Sequence, residues 1–268
     1  MSAERTTRLG LRTLALAYLG ALLFVPVGLV LYRTFQPGIA EVWASITTPA
    51  ALHAFQLTMM VTLIAVPLNT VLGILAALVI VRGRFRGKAF LDTLIDLPFA
   101  ISPIVIGLSL IFVYGQTGWF GSALADAGIQ IIFSWPGIAL ATIFVTLPFV
   151  VREVAPVLRE VGTEQEQAAA TLGASPWQTF RRVTLPAIRW GVAYGVVLST
   201  ARAIGEFGAV SVVSGHIAGQ TETLTLLVQQ RFENFNIAGA YAASALLAFI
   251  ALGTLLAMTL IKPRKEHA

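Results

Sequence analysis

The stretch TEQEQAAATLGASPWQTFRRVTLP, Thr163 to Pro186, is a polar, small-residue segment set between long apolar runs. It carries two helix starts with a glycine between them. Thr163-Glu164-Gln165-Glu166 has the form of a capping box, in which the threonine hydroxyl accepts from the third helical N–H and Glu166 reaches back. Glu164 and Glu166 also suit the positive end of a helix dipole. Ala168, Ala169, Ala170 and Leu172 then favour helix, and Gly173 can take the left-handed conformation that ends it. Ser175-Pro176-Trp177-Gln178 repeats the box, with Pro176 at the first helical position, where a missing N–H costs nothing. The segment therefore predicts helix, tight turn, helix, with Pro186 marking the passage into the next apolar run. Small alanines let another surface approach the backbone, and Trp177 and Phe180 add aromatic area of the kind enriched at interfaces. The alternative is an amphipathic helix resting on a membrane surface, a job for which an alanine face is weakly apolar.

Outward from this elbow the chain reads as membrane. Of its 268 residues, 57% are hydrophobic and 12% charged, against about 25% charged in a soluble domain; mean hydropathy is +0.82. The absence of cysteine excludes a disulfide framework or a Cys-ligated metal. Net charge is +5, but the basic residues sit in short loops beside apolar runs rather than on a folded face, which argues for membrane topology and against nucleic-acid binding.

A spanning helix needs about 20 mainly apolar residues. Uncharged windows of that length run over Thr13–Tyr32, Val42–Val81, Leu97–Ala125, Ala127–Val151 and Asn234–Ile261, the second being long enough to include a loop. Only Asp126 separates the third window from the fourth, so a tight connection is expected there. A sixth candidate, Pro186–Gly208, contains Arg189, Arg202 and Glu206. Lys and Arg gather on the cytoplasmic side of short loops. The clusters are Arg5/Arg8/Arg12, Arg82/Arg84/Arg86/Lys88, Arg152/Arg159/Arg181/Arg182/Arg189 and Lys262/Arg264/Lys265. Six spans put all four on one side and leave only Arg33 and Arg231 opposite. Six helices with both termini cytoplasmic are therefore expected, the first read as a retained signal anchor because its apolar run exceeds the usual 7–15-residue core of a cleaved leader. Pro67, Pro98, Pro103, Pro148, Gly73 and Gly107 predict kinks and close helix contacts, with freed backbone groups satisfied by neighbouring helices. No inverted repeat relates the two halves.

The pattern Gln-Ala-Ala-x3-Gly-x9-Val-x-Leu-Pro, from Gln167 to Pro186, resembles the EAA signature of ABC importer permeases, with Gln167 in place of its glutamate and Val183 in place of its isoleucine. The resemblance implies an all-α polytopic fold of the type I importer class, one permease domain over 1–268 with its core at about 56–262. It makes the elbow the coupling helix that docks in a groove of an ATPase subunit, with Gln167, Ala168, Ala169 and Gly173 as docking residues and Leu185 and Pro186 closing the motif. Asp96-Leu97-Pro98, Ile101-Ser102-Pro103 and the run from Gly115 to Gly121 are similar to the molybdate/sulfate branch. The run Arg202-Ala203-Ile204-Gly205-Glu206-Phe207-Gly208-Ala209-Val210-Ser211-Val212-Val213-Ser214-Gly215 is similar to the CysW-type subunit of sulfate/thiosulfate importers. That family pairs a CysT-like with a CysW-like permease, two ATPases and a periplasmic binding protein. ATP and Mg would then lie on the partner ATPase, since no Walker A pattern occurs here, and this chain carries no cofactor and no nucleic acid.

Arg202 and Glu206 lie four apart, on one face of a helix. Ionisable groups within a span are costly and usually face the bundle interior. Two readings stay open: with Ser102, they line or gate the translocation path, Arg202 being available to an oxyanion, or they form an ion pair that holds helices in register. Thr223–Phe235 predicts a short helix on the outer side, which either helps receive a binding protein or packs on its own bundle. His53, His216 and His267 lack metal-ligand spacing. A proton- or sodium-coupled carrier would want intramembrane acids and a repeated broken-helix arrangement, and a membrane enzyme a paired His, Ser–Lys or Asp–Asp constellation; neither pattern occurs. Molybdate or tungstate remains the alternative cargo to sulfate or thiosulfate.

Overall fold

The computed structural model describes residues 2–261; Lys262, Arg264, Lys265 and His267, and with them the last basic cluster, lie outside the described residues. The elements are helical throughout these residues. In chain order they are α1 (Ser2–Phe35), α2 (Ile39–Ile46), α3 (Pro49–Arg82), α4 (Lys88–Ala100), α5 (Pro103–Tyr114), α6 (Gly121–Asp126), α7 (Trp135–Val161), α8 (Glu164–Thr171), α9 (Pro176–Thr179), a π turn (Phe180–Thr184), α10 (Leu185–Ile204), α11 (Gly208–Val213), α12 (Leu224–Glu233) and α13 (Ile237–Ile261).

Helices α1, α3, α7 and α13 are long and apolar enough to cross a membrane, and α4 with α5 would make a fifth crossing if the pair, bent by 111°, is one broken span. α10 has 20 residues and carries Arg189 and Arg202. The bundle is built on α3, α7 and α10. Helices in lipid lack a hydrophobic drive toward one another and associate through close packing at small residues. Gly73 of α3 and Gly195 of α10 both lean on Val150 of α7: a Cβ at Gly73 would sit 2.7 Å from the valine side chain, and one at Gly195 2.8 Å from its Cα. Asn69 adds a polar tie, donating to Ile143 O at 2.9 Å and Thr146 Oγ1 at 2.7 Å.

Two expected windows move. The third does not run on to Ala125. Gly115 ends α5, and the chain folds back so that Trp119 and Phe120 donate to Phe112 O and Val113 O. Only glycine fits there, because a Cβ at Gly118 would meet Phe112 O at 2.5 Å and one at Gly121 would meet Gly115 O at 2.3 Å. Instead of a tight connection at Asp126, residues 115–134 form a long one, and α7 begins at Trp135 with a proline in its first turn. Within the same window Pro103 opens α5 after the sharp bend; the preceding residue is biased toward extended backbone, and Ser102 has φ −58, ψ 133.

The bundle has two distinct ends. At one, Thr34 of α1 donates to Tyr241 O at the start of α13, near α2, the start of α3, and α12. At the other lie the last turns of α3 and α7 with the elbow. α12 forms as expected, and its Leu224 and Leu227 are buried with Ala51, Ala54 and Ala243 of α3 and α13, so it packs on its own bundle.

Candidate functional site

The elbow is built as two short helices. α8 ends as a Schellman motif: Gly173 has φ +86, Ala174 N donates to Ala169 O and Gly173 N to Ala170 O, each at 3.0 Å. The second capping box closes from both sides, Gln178 N to Ser175 Oγ at 3.3 Å and Ser175 N to Gln178 Oε1 at 2.9 Å. The first box does not form. Thr163 has φ −114, ψ −1 and caps no N–H; its hydroxyl accepts instead from Gln167 Nε2 at 3.2 Å. The physical reason is that Glu166 has stronger partners. Arg82, at the end of α3, donates to it from Nε at 3.0 Å and from Nη2 at 3.2 Å, and Thr184 Oγ1 donates at 2.9 Å. Charge-assisted, two-pronged Arg–carboxylate contacts outweigh one neutral cap bond. Arg82 also donates to Leu158 O at 3.0 Å and to Gly162 O, at the end of α7.

Pro186 marks the passage into the next apolar run, as expected, falling in the first turn of α10. Helix is continuous from Pro176 to Ile204 through the π turn. Pro186 has no N–H for the carbonyl of Arg182, and its ring crowds that carbonyl. The wider turn relieves this, Leu185 N reaching Phe180 O. Leu185 packs beside Ile188 in the core under the elbow, where Phe180 also lies. Outward, Gln167, Ala168, Gly173 and Pro186 are exposed and Ala169 is half-buried. Leu172 is 89% exposed and Trp177 67%, the latter stacked on Phe180 at 5.5 Å. Leu172 was not singled out from sequence, where a leucine in an alanine helix reads as a helix former.

The second candidate cluster lies where α10 breaks. α10 ends at Ile204 and Glu206 falls beyond it, before α11, so the pair does not share one helix as the spacing implied. The pair still forms, Arg202 Nη2 to Glu206 Oε2 at 2.8 Å. Glu206 is buried and its other oxygen accepts from Ala209 N at 2.9 Å. Its backbone carbonyl accepts from Thr225. The Arg202 side chain remains 34% exposed. Ser102 is exposed at the start of α5, and the adjacent Pro103 touches Gly208: a Cβ there would lie 2.9 Å from Pro103 Cβ. The bend and the break thus face each other. Gly107 of α5 closes the same contact, with Ala209 O 2.8 Å from where its Cβ would stand. Behind Glu206, among Thr58, Thr142 and Thr223, is a cavity of ≈ 10 Å³, the size of one water and too small for a tetrahedral anion.

Sequence reasoning missed a third ionic cluster. Arg152 of α7 donates Nε to Asp96 Oδ1 at 2.6 Å and lies 2.9 Å from Asp92 Oδ1, both on α4. Asp92 and Asp96 are spaced for one helix face, but nothing in the sequence points that face at Arg152.

Residues 69–267 match the model of the family described as binding-protein-dependent transport system inner membrane component. The chain belongs to this permease family. Among its relatives is sulfate permease 2, chloroplastic, of Chlamydomonas reinhardtii, 52% identical over 95% of this chain and 68% of that protein. The sulfate transport system permease protein CysW of Synechocystis sp. is 51% identical over 95% of this chain and 92% of its own length. The CysT protein of Escherichia coli K12 is 38% identical over 90% and 89%. In fold, the permease resembles a bacterial ABC transporter that imports the acidic polysaccharide alginate, with TM-score 0.79 at 19% identity, covering 99% of this chain and 98% of that one. The permease is accordingly a multi-pass membrane transport component.

Proposed function

We propose that this chain is the CysW-type permease subunit of an ATP-driven importer for sulfate or thiosulfate. The observation that carries the reading is the difference between two sets of relatives. Identity is 51% to a CysW protein and 38% to a CysT protein, each over at least 90% of this chain. A CysT-like subunit is therefore the expected second permease, not a copy of this chain. A binding protein is the expected donor, as in the solved alginate transporter complex, whose periplasmic protein holds an alginate pentasaccharide.

In this reading both termini are cytoplasmic, the membrane is a bacterial inner membrane, and the elbow faces the cytosol. Gln167, Ala168, Ala169 and Gly173 meet a partner ATPase, with exposed Leu172 and Trp177 as apolar anchors. ATP and Mg bind on that partner, and the chain performs no chemistry itself. Closure of the ATPase pair moves the elbow, and the helices alternate access across the membrane. Arg202 is the oxyanion-facing charge at the α5–α11 contact. Glu206 orients it while capping α11, and Ser102 is exposed at the start of α5, next to the Pro103–Gly208 contact.

The test is reconstitution in liposomes with candidate ATPase, CysT-like permease and binding protein. The expected result is co-purification of a nucleotide-hydrolysing subunit and uptake of sulfate only with ATP. Uptake without ATP, or a chain that purifies alone, overturns the reading. Stimulation by molybdate-loaded but not sulfate-loaded binding protein would reassign the cargo.

A further inference from the structure

We propose that Glu166 is a positioning residue for coupling: gripped by Arg82 and Thr184, it converts movement of the elbow into movement of α3, α7 and α10. The inference rests on the docking role proposed for the elbow and names the part that carries the load inward.

α8 has no buried residue of its own, and it packs chiefly on its neighbours in sequence, α9 and the π turn. Its side chains at Gln167, Ala168 and Ala170 face outward; Glu166 and Ala169 are half-buried, and of these only Glu166 is polar. That single carboxylate receives three hydrogen bonds from two other elements. Arg82 brings in α3 and, through its bonds to Leu158 O and Gly162 O, the end of α7. Thr184, buried, brings in the root of α10. The π turn forced by Pro186 is what sets Thr184 there, and such turns often occur at functional sites. Glu166 of α8 thus meets α3 and the root of α10 directly, and the end of α7 through Arg82. The Arg82–Glu166 pair is 21% and 22% exposed, so as a source of stability it is weak. As a joint it is directional, because a guanidinium fork fixes both distance and angle.

The experiment uses the full reconstituted complex, with Glu166→Gln, Arg82→Lys and Thr184→Val in separate preparations. The readouts are basal ATP hydrolysis, its stimulation by sulfate-loaded binding protein, and sulfate moved per ATP. Because the chain has no cysteine, Ala169→Cys can be added to each as a unique crosslinking point to the ATPase. The expected result for Glu166→Gln is an intact crosslink and persisting basal hydrolysis, with stimulation and sulfate per ATP falling about 5-fold or more, the lower bound of an ordinary coupling energy. Arg82→Lys, keeping the charge without the fork, and Thr184→Val should lie between it and the unaltered complex. Native stimulation and native sulfate per ATP in Glu166→Gln with the crosslink intact overturns the inference and leaves docking standing. Equal loss of basal hydrolysis, crosslink and transport in all three variants also overturns it, since the network would then be only a support. No crosslink in the otherwise unaltered Ala169→Cys complex overturns the docking reading itself.

Discussion

Two arginines, Arg82 and Arg231, tie opposite ends of the bundle, and they do it with different partners. Arg82 meets a carboxylate and two carbonyls, and stays 21% exposed. Arg231 is 8% exposed and donates only to neutral acceptors: Gly239 O at 3.0 Å, Ser45 O at 2.9 Å and Thr48 Oγ1 at 3.0 Å. It pins the α2–α3 junction and the first turn of α13 onto α12. Burial lowers its pKa, and nearby Glu222 partly offsets this. A buried arginine held by three acceptors on two other elements is a fixed staple, because any movement strands charged donors away from water. A partly exposed one holding a short surface helix by a carboxylate can let go at smaller cost, since water can reach what is lost. The proposed coupling role thus makes the two ends of this permease differ in kind: one rigid, the other hinged.

That contrast breaks most readily at Arg231. Arg231→Met should cost about 3–5 kcal/mol, because three acceptors lose a charged donor in a buried place. The denaturation midpoint in detergent reads this directly, and a midpoint equal to the unaltered chain's would show that Arg231 is no staple. Next comes the shared crossing. Gly195→Val drives a side chain into Val150, and overpacking of this sort costs about 1–3 kcal/mol. At the hinged end, Glu166→Gln should lower the same midpoint by no more than about 1 kcal/mol. A larger drop there than for Arg231→Met would invert the comparison.

How much of this was legible in the sequence follows the range of the forces involved. The Schellman end at Gly173 and the box at Ser175 were readable because all their partners lie within a few residues. The box at Thr163 was local in form, yet Glu166 bonds a group 84 residues away, and no spacing rule reveals such a competitor. Hydropathy found α13 within three residues and the end of α3 within one, while its Val42 start ran across α2 and the α2–α3 loop. It ran straight across Ser102-Pro103, where apolar composition is continuous but the backbone bends by 111°. The i, i+4 spacing of Arg202 and Glu206 placed Glu206 on a helix that in fact ends at Ile204, for the pairing survives the break and looks the same from sequence. The charge count pointed to a helix over Pro186–Gly208 where hydropathy was interrupted, and α10 forms there as a helix, because the spacing of basic clusters is read independently of apolar runs.

The smallest effect concerns Glu222, and it sharpens what sort of node Arg231 makes. Glu222 is buried, and its Oε2 has no hydrogen-bond partner. Burial raises its pKa above the ordinary 4.5, against the opposing pull of Arg231 and His216. A carboxyl whose folded pKa is raised holds its proton more tightly when folded. Its stabilising contribution is therefore complete below pH 4.5 and fades as pH climbs through the raised folded value, with a slope of at most about 1.4 kcal/mol per pH unit for one proton. Glu222→Gln, neutral at every pH, should remove that slope, so the variant gains on the unaltered chain as pH rises from 4.5 toward neutrality. Parallel stability profiles over that window would mean that Glu222 stays ionised beside Arg231. The rigid end would then hold a second arginine–carboxylate couple, and its rigidity would have to come from depth of burial rather than from the neutrality of its partners.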